Sequence, residues 1–325
     1  MSTIETKYLI ALSQIKGIGS AFIKKHLAFI KQNILNKEKL CELSQKIDLV
    51  DLEEYFNNAS YILAECEKYN ICTVSIIEDN YPSLLLEIKD PPPILFLKGN
   101  KDLLERAIAI IGSRKSTDLG NKIANKIGAY FSKKWAICNG LVDGIDKNSI
   151  TNNKDVFPNV IGVLSGGLNY HETSSKITID LADKVLKNNG LLVSEYEPNK
   201  KEDQFSGSKA SRIQAGLSNS LILIQSSRSG GSKYTIKAFS SLHRPLAVVE
   251  FNSNSEYLTS ESFDGNRLLI EKGKQGIMEM CNLKKMETIK VFKIMKLQKS
   301  ADYKALEQEI ATGNNVYRSL GGQLF

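Results

Sequence analysis

Ala107-Ile108-Ala109-Ile110-Ile111-Gly112-Ser113-Arg114 is the stretch on which the fold turns. Its apolar run is too short for a buried helix and does not alternate in polarity, so it reads as a strand covered on both faces. Gly112 ends the run, and Thr117 stands where it would cap a following helix. The same texture recurs at Ile94–Leu97, Trp135–Cys138, Val160–Leu164, Leu191–Val193, Leu221–Ile224 and Leu246–Val249, with helix-length segments between most of them. Strands of this kind separated by helices predict an α/β fold, an extended Rossmann-like, mostly parallel, doubly wound sheet.

Working outward, residues 1–72 lack β-type alternation and predict a small helical domain. Within it, Gly17-Ile18-Gly19 separates an apolar stretch from a lysine-bearing amphipathic one. That hairpin resembles a helix-hairpin-helix DNA-binding motif, and a plain glycine turn between packed helices fits it equally well. Pro91-Pro92-Pro93 makes a stiff extended lead into the first strand. Residues 73–282 form the Rossmann-like domain, and residues 283–325 read as a basic tail or small helical extension.

The chain has 325 residues, 42% hydrophobic and 24% charged, which excludes wholesale disorder and membrane-bundle composition. Without a membrane-length apolar run or a secretory-type start, the expected location is cytoplasmic. Five cysteines, odd in number and without a Cys-x-x-Cys pair, read as reduced thiols. Net charge is −2 over residues 1–80, +5 over 81–282 and +4 over 283–325. This distribution permits an anionic partner of the middle and tail.

In such sheets ligands bind beyond the carboxyl ends of the strands. Gly112-Ser113-Arg114, Gly140 to Asp146, Ser165-Gly166-Gly167 and Ser229-Gly230-Gly231-Ser232-Lys233-Tyr234-Thr235 all follow apolar runs. Glycines let a ligand approach the backbone, and helix starts with an arginine seat phosphate. Only seven of 43 basic residues are arginines, yet Arg114, Arg212, Arg228 and Arg267 lie in or beside these loops. Asp146 and Glu195 either fix loop geometry by accepting from N–H groups or arginine or, the reading preferred, serve simply as a helix cap and a strand-end acid, and Tyr170 and Tyr234 are loop aromatics on which a base could stack. No Gly-x-x-x-x-Gly-Lys-Ser/Thr segment occurs, the three histidines are scattered, and no acid lies in Ser232 to Phe239. The expectation is therefore a binding protein with no catalytic residue, metal or cofactor.

Tyr81-Pro82, Asp90-Pro91-Pro92-Pro93-Ile94-Leu95-Phe96, Lys98-Gly99-Asn100, Gly112-Ser113-Arg114, Gly144-Ile145-Asp146, Ser194-Glu195, Arg212-Ile213-Gln214-Ala215-Gly216-Leu217-Ser218 and Gly265-Asn266 stand in an order that resembles the DNA-processing protein A (DprA/Smf) family. The resemblance covers roughly residues 75 to 275 and implies single-stranded DNA binding in a basic pocket, a homodimer, and hand-over to a RecA-like recombinase in natural transformation. It places Gly112, Ser113, Arg114, Gly140, Gly144, Asp146, Gly166, Gly231, Ser232, Thr235 and Asn266 at the DNA, with Lys209, Arg212 and Lys233 along the groove. The chain departs from the family pattern at Asn139-Gly140-Leu141-Val142, at Ile150 in place of a histidine, at Tyr170-His171 in place of Tyr-Pro, and at Ala210-Ser211-Arg212, where one of two arginines is missing. These departures suit a specialised paralogue, including one in anti-phage defence. The alternative is a regulator or antitoxin that uses the same fold to bind a nucleotide signal or a toxin partner.

Overall fold

The computed structural model describes residues 3–43, 47–250 and 258–321. Residues 322–325 of the predicted C-terminal extension lie outside the described residues. The front is helical as read: α1 (Ile4–Gln14), α2 (Ser20–Lys25), α3 (Leu27–Asn33), α4 (Lys37–Glu42) and α5 (Leu49–Lys68). Thr3 caps α1 by accepting the Thr6 N–H at 3.2 Å. Gly17, at φ +92°, makes the turn toward α2, a conformation that costs glycine nothing. The front is anchored on residues 78–88: Thr6 donates to Glu78 at 2.6 Å, and the Lys24 ammonium donates to the Leu86 and Ile88 carbonyls at 2.8 and 2.6 Å. The Lys24 ammonium is thus spent on carbonyls at the end of the short helix at residues 83–86.

The chain then alternates strand and helix: β1 (Cys72–Ser75), α6 (Ser83–Leu86), β2 (Ile94–Gly99), β3 (Ala107–Ile111), α7 (Asp118–Phe131), β4 (Ala136–Asn139) and α8 (Ile145–Ile150). A two-stranded hairpin, β5 (Thr151–Asn152) and β6 (Asp155–Val156), precedes β7 (Val160–Val163), α9 (Tyr170–Thr173), α10 (Lys176–Lys187) and β8 (Leu191–Ser194). The last part holds α11 (Ser206–Leu217), β9 (Ser220–Leu223), α12 (Ser232–Ser240), β10 (Leu246–Val249), α13 (Asp264–Lys272), α14 (Lys274–Met280), β11 (Ile294–Leu297) and α15 (Ser300–Gly321).

Nine strands form one sheet in the order β1-β2-β8-β7-β4-β3-β9-β10-β11. The pairings from β8 through β11 are parallel and β2 alone runs against its neighbours. All seven apolar runs read as strands are strands. Every residue of β3, β4, β7, β8, β9 and β10 is buried, because helices cover both faces. From β3 the chain winds outward through β4, β7 and β8, then returns to lay β9, β10 and β11 on β3's other side. The order reverses between β3 and β9, the kind of position at which a doubly wound sheet forms a crevice outside its carboxyl ends.

Residues 283–325 are more than a tail. Ile294–Leu297 pairs with Leu246–Val249 as the ninth strand, and α15 buries Tyr303, Leu306 and Ile310. Reading these residues as a tail or small helical extension missed this strand because Ile294-Met295-Lys296-Leu297 is short and interrupted by lysine. Its strand character comes from the open edge of β10.

Candidate nucleic-acid interface

The crevice is built first from Gly112. A Cβ there would lie 2.5 Å from Ile145 and 2.9 Å from the Gln225 carbonyl, so the turn after β3 closes on both neighbours only with glycine. The Ser113 N–H donates to the Gln225 carbonyl at 2.8 Å, and the Ser113 carbonyl accepts from the Ile145 N–H at 3.1 Å. Gly144, at φ +80°, packs directly against this turn: a Cβ on it would stand 2.3 Å from the Ser113 carbonyl oxygen and 2.5 Å from that of Arg114. The backbone of Ser113-Arg114 therefore rests on Gly144-Ile145. Arg114 itself projects outward, exposed, and makes no ion pair among the described residues.

Asp146 lies beneath this platform, 5% exposed, in the first turn of α8. Its carboxylate accepts the Gly140 N–H at 2.9 Å, and the Val142 N–H also bonds to it. Burial pushes its pKa up to about 7, against the opposing pull of the Gly140 N–H, the Arg114 charge and the Val142 N–H. Gly140 packs closely under this loop, with a would-be Cβ 2.9 Å from the Gln214 side-chain amide nitrogen. Asn139 donates to the Asp146 carbonyl at 3.0 Å and accepts the Leu141 N–H at 3.0 Å, holding Leu141 at φ +51°.

On the other side of the crevice stand the residues after β9. Of the helices that start at this edge, α7 and α11 receive side-chain oxygens at their amino ends, while α8, α9, α12 and α13 have no side-chain cap. Thr117 caps α7 by accepting the Gly120 N–H at 3.1 Å, and Asp203 accepts the Phe205 and Ser206 N–H groups at the start of α11 at 2.8 and 2.9 Å. The start of α12 has no side-chain cap: Gly231 precedes it, with open space where a Cβ would be. The Ser232 hydroxyl is buried there with no hydrogen-bond partner. The Lys233 and Tyr234 N–H groups bond the Gly230 and Gly231 carbonyls at 3.2 and 3.1 Å, so the group left unpaired at the start of α12 is the Ser232 hydroxyl, a donor suited to an anion. Lys233 and the half-exposed Tyr234 follow, the ammonium 5.5 Å from the ring centroid, and Thr235 is buried on the same helix.

Other expected site residues have other work. Gly166 is enclosed by the carbonyls of Lys200 and Thr173, each 3.0 Å from a would-be Cβ, and its own carbonyl accepts from Ser194 at 2.7 Å. Asn266 is 1% exposed and uses both ends of its amide: it accepts the Ser226 N–H at 2.9 Å and donates to the Ile224 and Val249 carbonyls at 2.9 and 3.0 Å. It ties the ends of β9 and β10 to α13, and its contribution is to hold the loop in shape. Arg212 is no free groove cation. Its guanidinium grips Glu195 through two bonds of 2.7 and 2.6 Å and Asp90 at 3.1 Å, leaving the side chain 13% exposed. Glu195 thus accepts from arginine, one of the two roles expected of it. Arg228 leans on Asp264 at 3.8 Å, and Arg267 donates to the Ser260 carbonyl at 3.0 Å. Lys209 is exposed on α11 without an ion pair among the described residues.

Sequence reasoning did not find Gln225. Fully buried at the end of β9, its side-chain oxygen accepts the N–H and hydroxyl of Thr117, both at 3.1 Å, while its amide nitrogen has no partner. A polar residue directly after an apolar strand was the available signal. Buried Arg244 was also missed: it donates to the Gly216 and Ser218 carbonyls at 2.9 and 2.7 Å and to Leu84 and Glu87 at 2.7 and 2.8 Å, locking the end of α11 to α6.

These features define a Rossmann-like α/β protein with a helical front and glycine-bearing loops at the carboxyl edge of its sheet. Residues 72–286 match the family of DNA recombination-mediator protein A, and the chain belongs to that family. It is 32% identical over 188 residues to the DNA processing protein DprA of Bacillus subtilis, covering 57% of this chain and 62% of that protein. It is 28% identical over 267 residues to the protein Smf of Synechocystis, covering 76% and 65%. The chain therefore spans less than two thirds of these relatives' length. Among solved structures, DprA from Streptococcus pneumoniae superposes with a TM-score of 0.72 at 23% identity, over 94% of this chain and 98% of that one. DprA from Helicobacter pylori, whose structure describes a single-stranded DNA binding mode, aligns with a TM-score of 0.51 at 26% identity, over 62% and 88%.

Proposed function

We propose that this protein binds single-stranded DNA at the carboxyl edge of its sheet, by phosphate contacts that are largely independent of sequence, and acts in DNA processing or recombination. The observation that carries the reading is the start of α12, where no side chain caps the helix and the buried Ser232 hydroxyl has no partner, an arrangement that suits an anion. Arg114, on the loop after the adjacent strand, and Lys209 and Lys233, on the neighbouring helices α11 and α12, supply unpaired positive charge. Similarity to a relative that binds single-stranded DNA supports the choice of ligand. A dinucleotide or nucleotide signal is less well served. Its phosphates would sit at the start of α7, which Thr117 caps and the Gln225 side chain fills.

Non-catalytic action, a homodimer, and a RecA-like recombinase as the recipient of the DNA belong to the same proposal. A toxin partner and a role in anti-phage defence go with the alternative, in which DNA is not the ligand. Fluorescence anisotropy of labelled poly-dT tests the main reading. Wild type should bind with a log–log salt slope of about −0.7 per phosphate neutralised, and Arg114→Ala should weaken binding about tenfold or more at every sequence. Absence of binding at low salt, or affinity unchanged in the variant, would overturn it.

A further inference from the structure

We propose that Asp146 is a positioning residue for the phosphate seat, and that its buried carboxylate takes up a proton when an anion docks on Arg114. The inference rests on the carboxyl edge being a phosphate-binding surface. Its ground is a continuous mechanical chain. Asp146 accepts the N–H groups of Gly140 and Val142, which fixes the turn after β4. That turn delivers Gly144 and Ile145 against the carbonyls of Arg114 and Ser113, so the loop bearing the guanidinium lies on the turn the carboxylate holds.

The charges around Asp146 set the sign. Arg114, from the loop after β3, is the cation that acts on it. On its own element, Lys147 is exposed and pairs with Asp143 at 3.4 Å. From β4 the Cys138 thiol is neutral, its pKa pushed up to about 12 by burial. From α11 comes the neutral Gln214 amide, and Arg212 is neutralised by Glu195 and Asp90. A phosphate on Arg114 brings negative charge toward a carboxylate that burial already disfavours and offsets the one cation that opposed protonation, leaving the backbone N–H groups as the remaining pull on the charged form. The proton's affinity for Asp146 must then rise, and by linkage the affinity for phosphate rises as the proton binds. A protonated Asp146 keeps a carbonyl oxygen for the Gly140 N–H, so the platform is retained while the repulsion disappears.

The test uses the whole chain and unmodified poly-dT, whose phosphodiesters do not titrate near neutrality. Between pH 8 and pH 6 the wild-type Kd should fall about three- to tenfold, and calorimetry at pH 7 in buffers of different ionisation heat should show net proton uptake. Asp146→Asn should bind about as tightly at pH 8 as wild type does at pH 6 and lose most of the pH dependence. Carboxyl NMR of the wild-type protein gives a readout independent of any variant: the Asp146 resonance should titrate at higher pH with oligonucleotide bound. An unmoved titration, or Asp146→Asn with the full wild-type pH slope, would overturn the proton link and leave Arg114-dependent binding standing. Absence of binding at every pH would instead overturn the phosphate-seat reading on which it rests.

Discussion

Arg114 and Arg212 are the same residue type, both beside glycine-bearing loops, and their surroundings give them opposite duties. Arg114 is held out on a rigid turn with no acidic partner among the described residues, whereas Arg212 is enclosed by Glu195 and Asp90. An arginine so paired has little field left for a phosphate, and removing it would strand Glu195, itself 13% exposed, without its cation. Arg212→Ala is therefore expected to lower unfolding free energy by about 3 kcal/mol in chemical denaturation, while Arg114→Ala changes it by less than about 0.5 kcal/mol. Equal stability of the two variants would mean that the Arg212 pairs contribute nothing. The sequence distinguished neither arginine, because Asp90 lies 122 residues and Glu195 17 residues from Arg212 along the chain.

At the scale of elements, the helices that begin at the carboxyl edge differ in who serves their first N–H groups. Thr117 and Asp203 serve α7 and α11, whereas α12 begins without a side-chain cap, as α8 and α13 do, and is set apart by the buried, unpaired Ser232 hydroxyl. Ser232→Ala separates binding from folding here. Deleting a buried hydroxyl that has no partner should leave the protein as stable as wild type or up to about 1 kcal/mol more stable. Binding of poly-dT should weaken about three- to tenfold, as judged by anisotropy beside a thermal melt. A variant both more stable and equally tight would show that the start of α12 is not used. The cap at Thr117 could be read directly, since a hydroxyl three residues before Gly120 is a local pattern. The plug of α7 by Gln225 could not, because it depends on β9 lying against β3.

For the whole molecule, the decisive pieces come from the two ends of the chain. The helical front is fastened through Thr6 and Lys24, and the C-terminal segment closes the sheet edge while Glu307 of α15 accepts from the Tyr130 hydroxyl at 3.1 Å and the Trp135 indole N–H at 3.3 Å. Removing residues 283–325 would expose the hydrogen-bonding edge of β10 and uncover Phe131 and Trp135. The truncated protein should melt at least about 10 °C lower or aggregate, and an unchanged Tm would show that β11 and α15 add nothing to the fold. The sequence by itself determined the helical front, seven strands and the glycine turns at their ends, because apolar runs of four or five residues between breakers have one economical way to be buried. It also brought the chain to its family, through motifs read in order. Only the tertiary structure decided that residues 294–297 are a strand, which arginine is free of an ion pair, and that the Ser232 hydroxyl is buried without a partner. Each of those depends on a partner supplied from a distant part of the chain, and neither composition nor spacing records which distant groups meet.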